Sequence, residues 1–184
     1  MSNNKKIQKV AVAMSGGVDS SVAAAMMVEK GYEVIGLTMQ LYDSGRVTSS
    51  GSKTCCAGQD IYDAKRVSDK LGIKHYTLDY EKRFLDNVIK DFADSYAKGV
   101  TPIPCIRCIQ KMKFRDLLNT SMDLGADFLV TGHYASIKRK GNDIGLYRAR
   151  DISRDQSYFL FSTPNEVLNN IIFPLGDLSK KETR

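Results

Sequence analysis

The feature that most constrains this chain is a change of rhythm near its start. An apolar run over residues 10–14 passes through Ser15-Gly16-Gly17-Val18-Asp19-Ser20 straight into a helix-like run over residues 21–30. A strand that turns through glycines into a helix N-terminus makes an anion site. Gly16 and Gly17 have no Cβ, so the backbone can bend sharply and approach a ligand closely. The N–H groups of the first helical turn lack intrahelical acceptors and point at the ligand, and the helix dipole adds to the attraction. Ser15 and Ser20 offer hydroxyl donors. The plainer alternative is an ordinary glycine turn capped by Ser and Asp.

The alternation continues along the chain. Residues 32–41 are rich in β-branched and apolar types and read as a second strand. Residues 43–53 are rich in Ser and Gly and read as a mobile loop. Ile61, Ala64, Val67 and Leu71 recur at helical spacing before a stop at Gly72, and 75–78 reads as a short strand. Phe84, Leu85, Val88, Ile89, Phe92 and Tyr96 form one stripe of a helix over 81–98. Pro102 and Pro104 stiffen 101–108 into a loop, with a helix opening at about Ile109 and an apolar face over 111–124. Residues 127–131 read as a buried strand and 144–149 as another, while 156–161 and 164–170 look helical. Strands separated by helices of this length imply an α/β fold, a parallel sheet with helices on both faces. Ligands of such sheets sit at the carboxyl ends of the strands. The glycine loop, residues 39–42 and Gly132-His133 are therefore expected to converge.

The loop also narrows the nucleotide chemistry. It has no Gly-x-x-x-x-Gly-Lys-Ser/Thr, so the phosphate-gripping lysine of a P-loop is missing, and no Gly-x-Gly-x-x-Gly fingerprint. Asp19 sits where a plain phosphate cradle would avoid negative charge, and makes sense if Mg²⁺ bridges it to the phosphates. The chain carries 27 basic and 21 acidic residues, a net +6, which favours polyanionic partners moderately. Its densest basic cluster, Lys138-Arg139-Lys140, is equally a solvated turn before Gly141-Asn142. No apolar run approaches the roughly 18 residues of a membrane span. The polar start, residues 1–8, lacks a signal-peptide pattern and reads as a disordered lead-in to a domain over 9–184 in a cytoplasmic protein.

Four cysteines form two close pairs, Cys55-Cys56 and Cys105-x-x-Cys108. A thiol just before a helix has a depressed pKa, and Arg107, Lys111 and Lys113 are near in sequence, so Cys108 is a plausible nucleophile. A structural zinc site and inert buried cysteines are the alternatives, although adjacent Cys-Cys is not the usual zinc knuckle spacing.

The hexapeptide 15–20 resembles the signature of the PP-loop ATP pyrophosphatases, which cleave ATP between the α- and β-phosphates and adenylate a substrate oxygen. Further along, Gly36-Leu37-Thr38-Met39, the Pro-rich segment to Cys108 with Lys113-Phe114, Thr131-Gly132-His133-Tyr134, and Asp155-Gln156-Ser157-Tyr158-Phe159-Leu160 occur in order. Together they resemble the bacterial tRNA-specific 2-thiouridylases of that superfamily, over nearly the whole chain. The resemblance implies ATP, Mg²⁺ and persulfide sulfur as reactants. It implies the wobble uridine of Lys, Glu and Gln tRNAs as target, and a sulfur-carrier protein or cysteine desulfurase as donor. Ala13, Met14, Ser15, Gly16, Gly17, Val18, Asp19 and Ser20 would hold the phosphates, Met39 the adenine, and Gly132 would close the nucleotide pocket. Cys108 would be the catalytic cysteine, Ile103, Pro104 and Cys105 would lie against the target base, and His133, Arg154, Asp155 and Gln156 would contact tRNA.

Two positions depart from the pattern. Cys105 stands where many members have Asp, which allows a Cys105–Cys108 disulfide or iron–sulfur ligation with one of Cys55 or Cys56. Ile109 replaces a polar residue. The resemblance also implies a second cysteine, a central domain and a C-terminal β-barrel beyond Arg184, so a fragment is expected. A PP-loop ligase or amidotransferase on a small molecule, and a nucleotide-sensing or zinc module without turnover, remain the competing readings.

Overall fold

A computed structural model describes residues 7–41, 58–141 and 143–184. The Ser/Gly loop over 43–53, Cys55, Cys56 and most of the expected lead-in lie outside the described residues. Five strands, β1 (Lys9–Ala13), β2 (Glu33–Gln40), β3 (Lys74–Asp79), β4 (Phe128–Thr131) and β7 (Ile171–Ile172), make one parallel sheet in the order β3-β2-β1-β4-β7.

The two-residue period of the strands sorts side chains to opposite faces. Val10, Val12, Val34 and Val130 point one way, onto Ala23, Ala24 and Met27 of α1 (Val18–Glu29) and Ala64 of α2 (Gly58–Leu71). Ala11, Ile35, Leu37 and Leu129 point the other way, onto Met112, Phe114, Leu117 and Leu118. Both faces are covered, as the near-continuous apolar strands required. Between them, the buried Thr38 hydroxyl donates to Met14 O at 2.8 Å and lies 2.8 Å from His75 Nε2, pinning the end of β1 to β2 and β3.

The helices differ from the expectation in two places. The stretch over 81–97 is helical, but α3 (Glu81–Phe84) and α4 (Lys90–Ala97) are joined by a π-wound turn, Leu85–Ile89. More consequentially, Pro104 does not extend the loop. It opens α5 (Pro104–Arg107), which continues as a π-helix, Cys108–Asp116, and then as α6 (Leu117–Asp123). Proline suits a first helical position, because its missing N–H would have no acceptor there and its φ is already helical. Cys108 is therefore one turn inside the helix, and Cys105 is the cysteine nearer the helix start.

After β4, a hairpin of β5 (Ala135–Lys140) and β6 (Asp143–Arg148) stands apart from the sheet. The basic cluster, for which a solvated turn is one of two sequence readings, lies in β5, with Lys138 Nζ 5.2 Å from the Tyr147 ring centre across the hairpin. A 3₁₀ turn, Ile152–Arg154, and two short helices follow, α7 (Ser157–Leu160) and α8 (Asn165–Leu168). The last described helix is α9 (Lys180–Thr183). No helix among the described residues is long and apolar enough to cross a membrane.

Candidate active site

The chain runs from β1 to β2 and β3 on one side of β1, and places β4 on the other side. The gap at the carboxyl ends of β1 and β4 is thus the topological switch point, where open α/β sheets bind ligands. The glycine loop after β1 and Gly132-His133 after β4 both emerge there.

The loop is braced from within. Ser20 Oγ accepts from Ser15 N at 3.2 Å and donates to Gly17 O at 3.0 Å. Its hydroxyl is therefore buried structure, whereas Ser15 is exposed at the mouth. Gly16 has φ +72°, and a Cβ there would fall 2.5 Å from Asp60 O. Gly132 is confined by the loop itself: a Cβ would lie 2.8 Å from both Asp19 C and Ser20 N. The turn after β4 is thereby pressed against the first turn of α1. Gly17 is the N-cap of α1 and brings no side-chain cap, so the helix start faces the gap with its backbone donors.

A cavity of about 220 Å³ opens on this loop. Ala13, Met14, Ser15, Asp19, Ser20, Met39 and Gly132 line it, as do Leu37, Leu117 and Thr131. A second cavity, of about 540 Å³ and mostly apolar, is walled by Phe84, Val88, Phe92, Ile109 and Phe159 and bordered by Pro104, Cys105 and Cys108. Lys113, His133 and Gln156 line both. The two chambers therefore meet at three side chains, with the glycine loop on one side and the Cys108 thiol on the other.

His133 sits between Phe114 and Phe173, with edge-on ring contacts at 6.0 and 6.1 Å, and its Nδ1 is 2.8 Å from Thr131 Oγ1. Burial, helped by the charge of Lys113, pushes its pKa down to about 3, so the imidazole is neutral near pH 7. Gln156 Oε1 accepts from Tyr134 N at 2.9 Å. Asp19 Oδ1 meets Lys180 Nζ at 2.5 Å and the Tyr134 hydroxyl at 3.0 Å.

Other expected site residues stand elsewhere. Gly16, Gly17 and Val18 shape the loop without lining either cavity. Ile103 and Arg154 are exposed outside both cavities. Asp155 is occupied by its own fold. Burial acts to raise its pKa, but the N–H of Ala149 and the hydroxyl and N–H of Ser157 outweigh it and hold the carboxylate below its usual range. Cys105 carries an exposed thiol and Cys108 a half-buried one. Among the described residues, no group of three or more His, Cys, Asp or Glu is placed to hold a metal ion. The four-cysteine zinc set and the three-cysteine cluster set include Cys55 or Cys56, outside the described residues. Lys180 and Tyr134 were not legible as neighbours of Asp19. Only the short spacing of Thr131 to Tyr134 hinted at a shared turn.

Residues 8–184 match the family described as tRNA methyl transferase HUP domain. The chain is 59% identical over 176 residues to the tRNA-specific 2-thiouridylase MnmA of Parvibaculum lavamentivorans, covering 96% of this chain and 44% of that protein. It is 53% identical over 184 residues to the protein of the same name from Rickettsia bellii, covering all of this chain and 50% of that one. The chain thus spans about half the length of the curated relatives it matches. Among solved structures, it resembles a "predicted subunit of tRNA methyltransferase" from Methanocaldococcus jannaschii, with TM-score 0.54 and 17% identity over 97% of this chain and 73% of that one. It also resembles a glutamine-dependent NAD+ synthetase from Acinetobacter baumannii, with TM-score 0.55 and 14% identity over 97% of this chain and 28% of that one. At such identities these two speak for the fold alone. The sequence matches do more: this chain belongs to the tRNA methyl transferase HUP domain family.

Proposed function

We propose that this chain is the ATP-using part of a tRNA 2-thiouridylase, with residues 9–184 as its PP-loop domain. The observation that carries the reading is the junction of the two chambers at Lys113, His133 and Gln156. A group seated at that junction reaches the glycine loop on one side and Cys108 on the other. The names of the relatives supply the chemistry that uses such a junction, thiolation of a tRNA uridine.

ATP would place its phosphates on the backbone donors at the start of α1 and its adenine beside Met39. The wobble uridine of a Lys, Glu or Gln tRNA would unstack from the anticodon loop into the larger, apolar chamber. Its O2 would attack the α-phosphate, with pyrophosphate leaving from the loop. The outer sulfur of a persulfide from a carrier protein or desulfurase would then attack C2 and expel AMP, and the Cys108 thiolate would attack the inner sulfur, so that the S–S bond breaks, C2 keeps the sulfur and Cys108 is left in a disulfide with the donor thiol. Lys113 supplies positive charge where negative charge gathers, and neutral His133 shapes the junction without adding to it. The apolar walls Phe84, Phe92 and Phe159 keep bulk water from the activated base. Asp19 fits a hard divalent ion, since its carboxylate lies partly exposed at the mouth of the loop and Mg²⁺ takes one or two carboxylates beside substrate phosphates. Bound there, Mg²⁺ would neutralise charge on the leaving pyrophosphate. Arg154 and its neighbours would meet the tRNA backbone.

Deletion of the gene encoding this chain tests the reading. Mass spectrometry of digested tRNA should show 2-thiouridine lost from the wobble position of the Lys, Glu and Gln isoacceptors. Retention at wild-type level would reject it. Complementation with Asp19→Ala should fail if the glycine loop works as described.

A further inference from the structure

The glycine loop contains no basic residue, yet it contains Asp19. A polyphosphate seated on it would meet a carboxylate of its own sign. The fold answers this from a distant segment. Lys180 Nζ lies 2.5 Å from Asp19 Oδ1, from 161 positions away in the sequence, and 5.6 Å from the centre of the Tyr134 ring.

This lysine is held in place. Its backbone N–H donates to Asp151 Oδ2 at 3.0 Å. The preceding Ser179 forms a reciprocal cap with Glu182, at 2.7 and 3.2 Å. Thr183, one turn on, is 2.9 Å from the Tyr134 hydroxyl that also reaches Asp19. The ammonium is thus aimed at the loop by a short helix that is capped from within and tied to two other segments, at Asp151 and Tyr134. Lys180 and Asp19 still keep 22% and 35% of their side-chain exposure, so a ligand arriving at the loop can reach both. An ammonium has three donors, and one carboxylate oxygen uses only one of them.

We propose that Lys180 is the phosphate-binding cation of this site, bonding directly to the pyrophosphate portion of the nucleotide while it stays beside Asp19. It would fill from outside the loop the role that a lysine inside the loop fills in P-loop NTPases. The proposal rests on the nucleotide-site reading above and adds the residue that reads the anion.

The probes are inorganic pyrophosphate, ATP and adenosine, titrated calorimetrically into the 184-residue chain with and without Mg²⁺. Lys180→Met should weaken pyrophosphate and ATP by at least about tenfold and adenosine by less than about threefold, whereas Lys180→Arg should stay near wild type. Wild-type affinity for pyrophosphate in a folded Lys180→Met overturns the proposal. So does an equal loss for adenosine and pyrophosphate, which marks a merely structural residue.

A second measurement needs no variant. Reductive methylation, mapped by peptide mass, should label Lys180 more slowly once pyrophosphate is added, while exposed Lys65 labels as before. Unchanged or faster labelling of Lys180 means that the anion does not bond it or that metal displaces it, and overturns the proposal. If the unaltered chain binds neither pyrophosphate nor ATP, the nucleotide-site reading falls and takes this assignment with it. If it binds both and Lys180→Met matches it, the assignment alone falls.

Discussion

The Tyr134 hydroxyl stands 3.0 Å from Asp19 Oδ1, tying the turn after β4 to the glycine loop across 115 positions of sequence. It is also 2.9 Å from Thr183 Oγ1, but a phenol has one hydrogen to donate, and the charged carboxylate is the stronger acceptor. Tyr134→Phe should therefore leave Asp19 with one donor fewer and cost about 1–2 kcal/mol of stability. Urea denaturation checks this, and an unchanged midpoint would show that the hydroxyl contributes nothing.

Gly132 offers a sharper test, because its missing side chain is what lets the two loops touch. In Gly132→Ala the new methyl would press on Asp19 C and Ser20 N, each 2.8 Å away. Backbone must move, and the loop with it. ATP affinity should drop by about tenfold or more while the circular dichroism spectrum is kept. Wild-type affinity in that variant would mean that the loop tolerates the displacement.

The half-buried imidazole sets an acid limit. His133 has its pKa depressed to about 3, against an ordinary 6.5. Between those values the unfolded chain takes up a proton that the folded chain refuses, so stability rises with pH there. His133's contribution is complete above about pH 6.5 and is lost as pH falls toward 3, by up to about 1.4 kcal/mol for each unit. His75, lowered by burial and then by Lys65 against the opposing pull of Asp69, acts in the same sense. Denaturation of His133→Gln and wild type at pH 7.5 and 5 should give a flatter dependence for the variant. Parallel curves would place the acid sensitivity elsewhere.

The cysteines should separate by access. Cys105 is exposed at the second position of α5, and Cys108 is half-buried a turn further in. Under reductant, iodoacetamide should label Cys105 several-fold faster than Cys108, as peptide mass mapping can read. A faster Cys108 would mean that half-burial does not limit its reaction with the reagent.

Much of the fold was legible because its signals are local. The alternation of Val10 and Val12 against Ala11, and the break at Gly16-Gly17, need nothing beyond neighbouring residues to be read. The start of α5 was misread because a proline's meaning depends on position: inside a helix it breaks, at the first residue it begins. β5 was hidden because Lys138-Arg139-Lys140 lies in a two-stranded hairpin whose outer end buries no face, and so carries no apolar alternation. The surroundings of Asp19 were out of reach for another reason. Lys180 and Tyr134 come to it through the sheet topology, across separations that no local pattern encodes.

The π winding of Cys108–Asp116 sets the phase of the site. In an α-helix each residue turns about 100°, so positions five apart point to different sides. A hydrogen bond reaching from i to i+5 stacks those positions instead, and Cys108 and Lys113, five apart, do face the same chamber. The helix therefore works as a dial whose setting depends on its winding rather than on residue identity. Rewinding this stretch as α-helix with no change of residue count would leave every group of the candidate site in the sequence and turn the thiol and the cation about 140° apart around the helix axis.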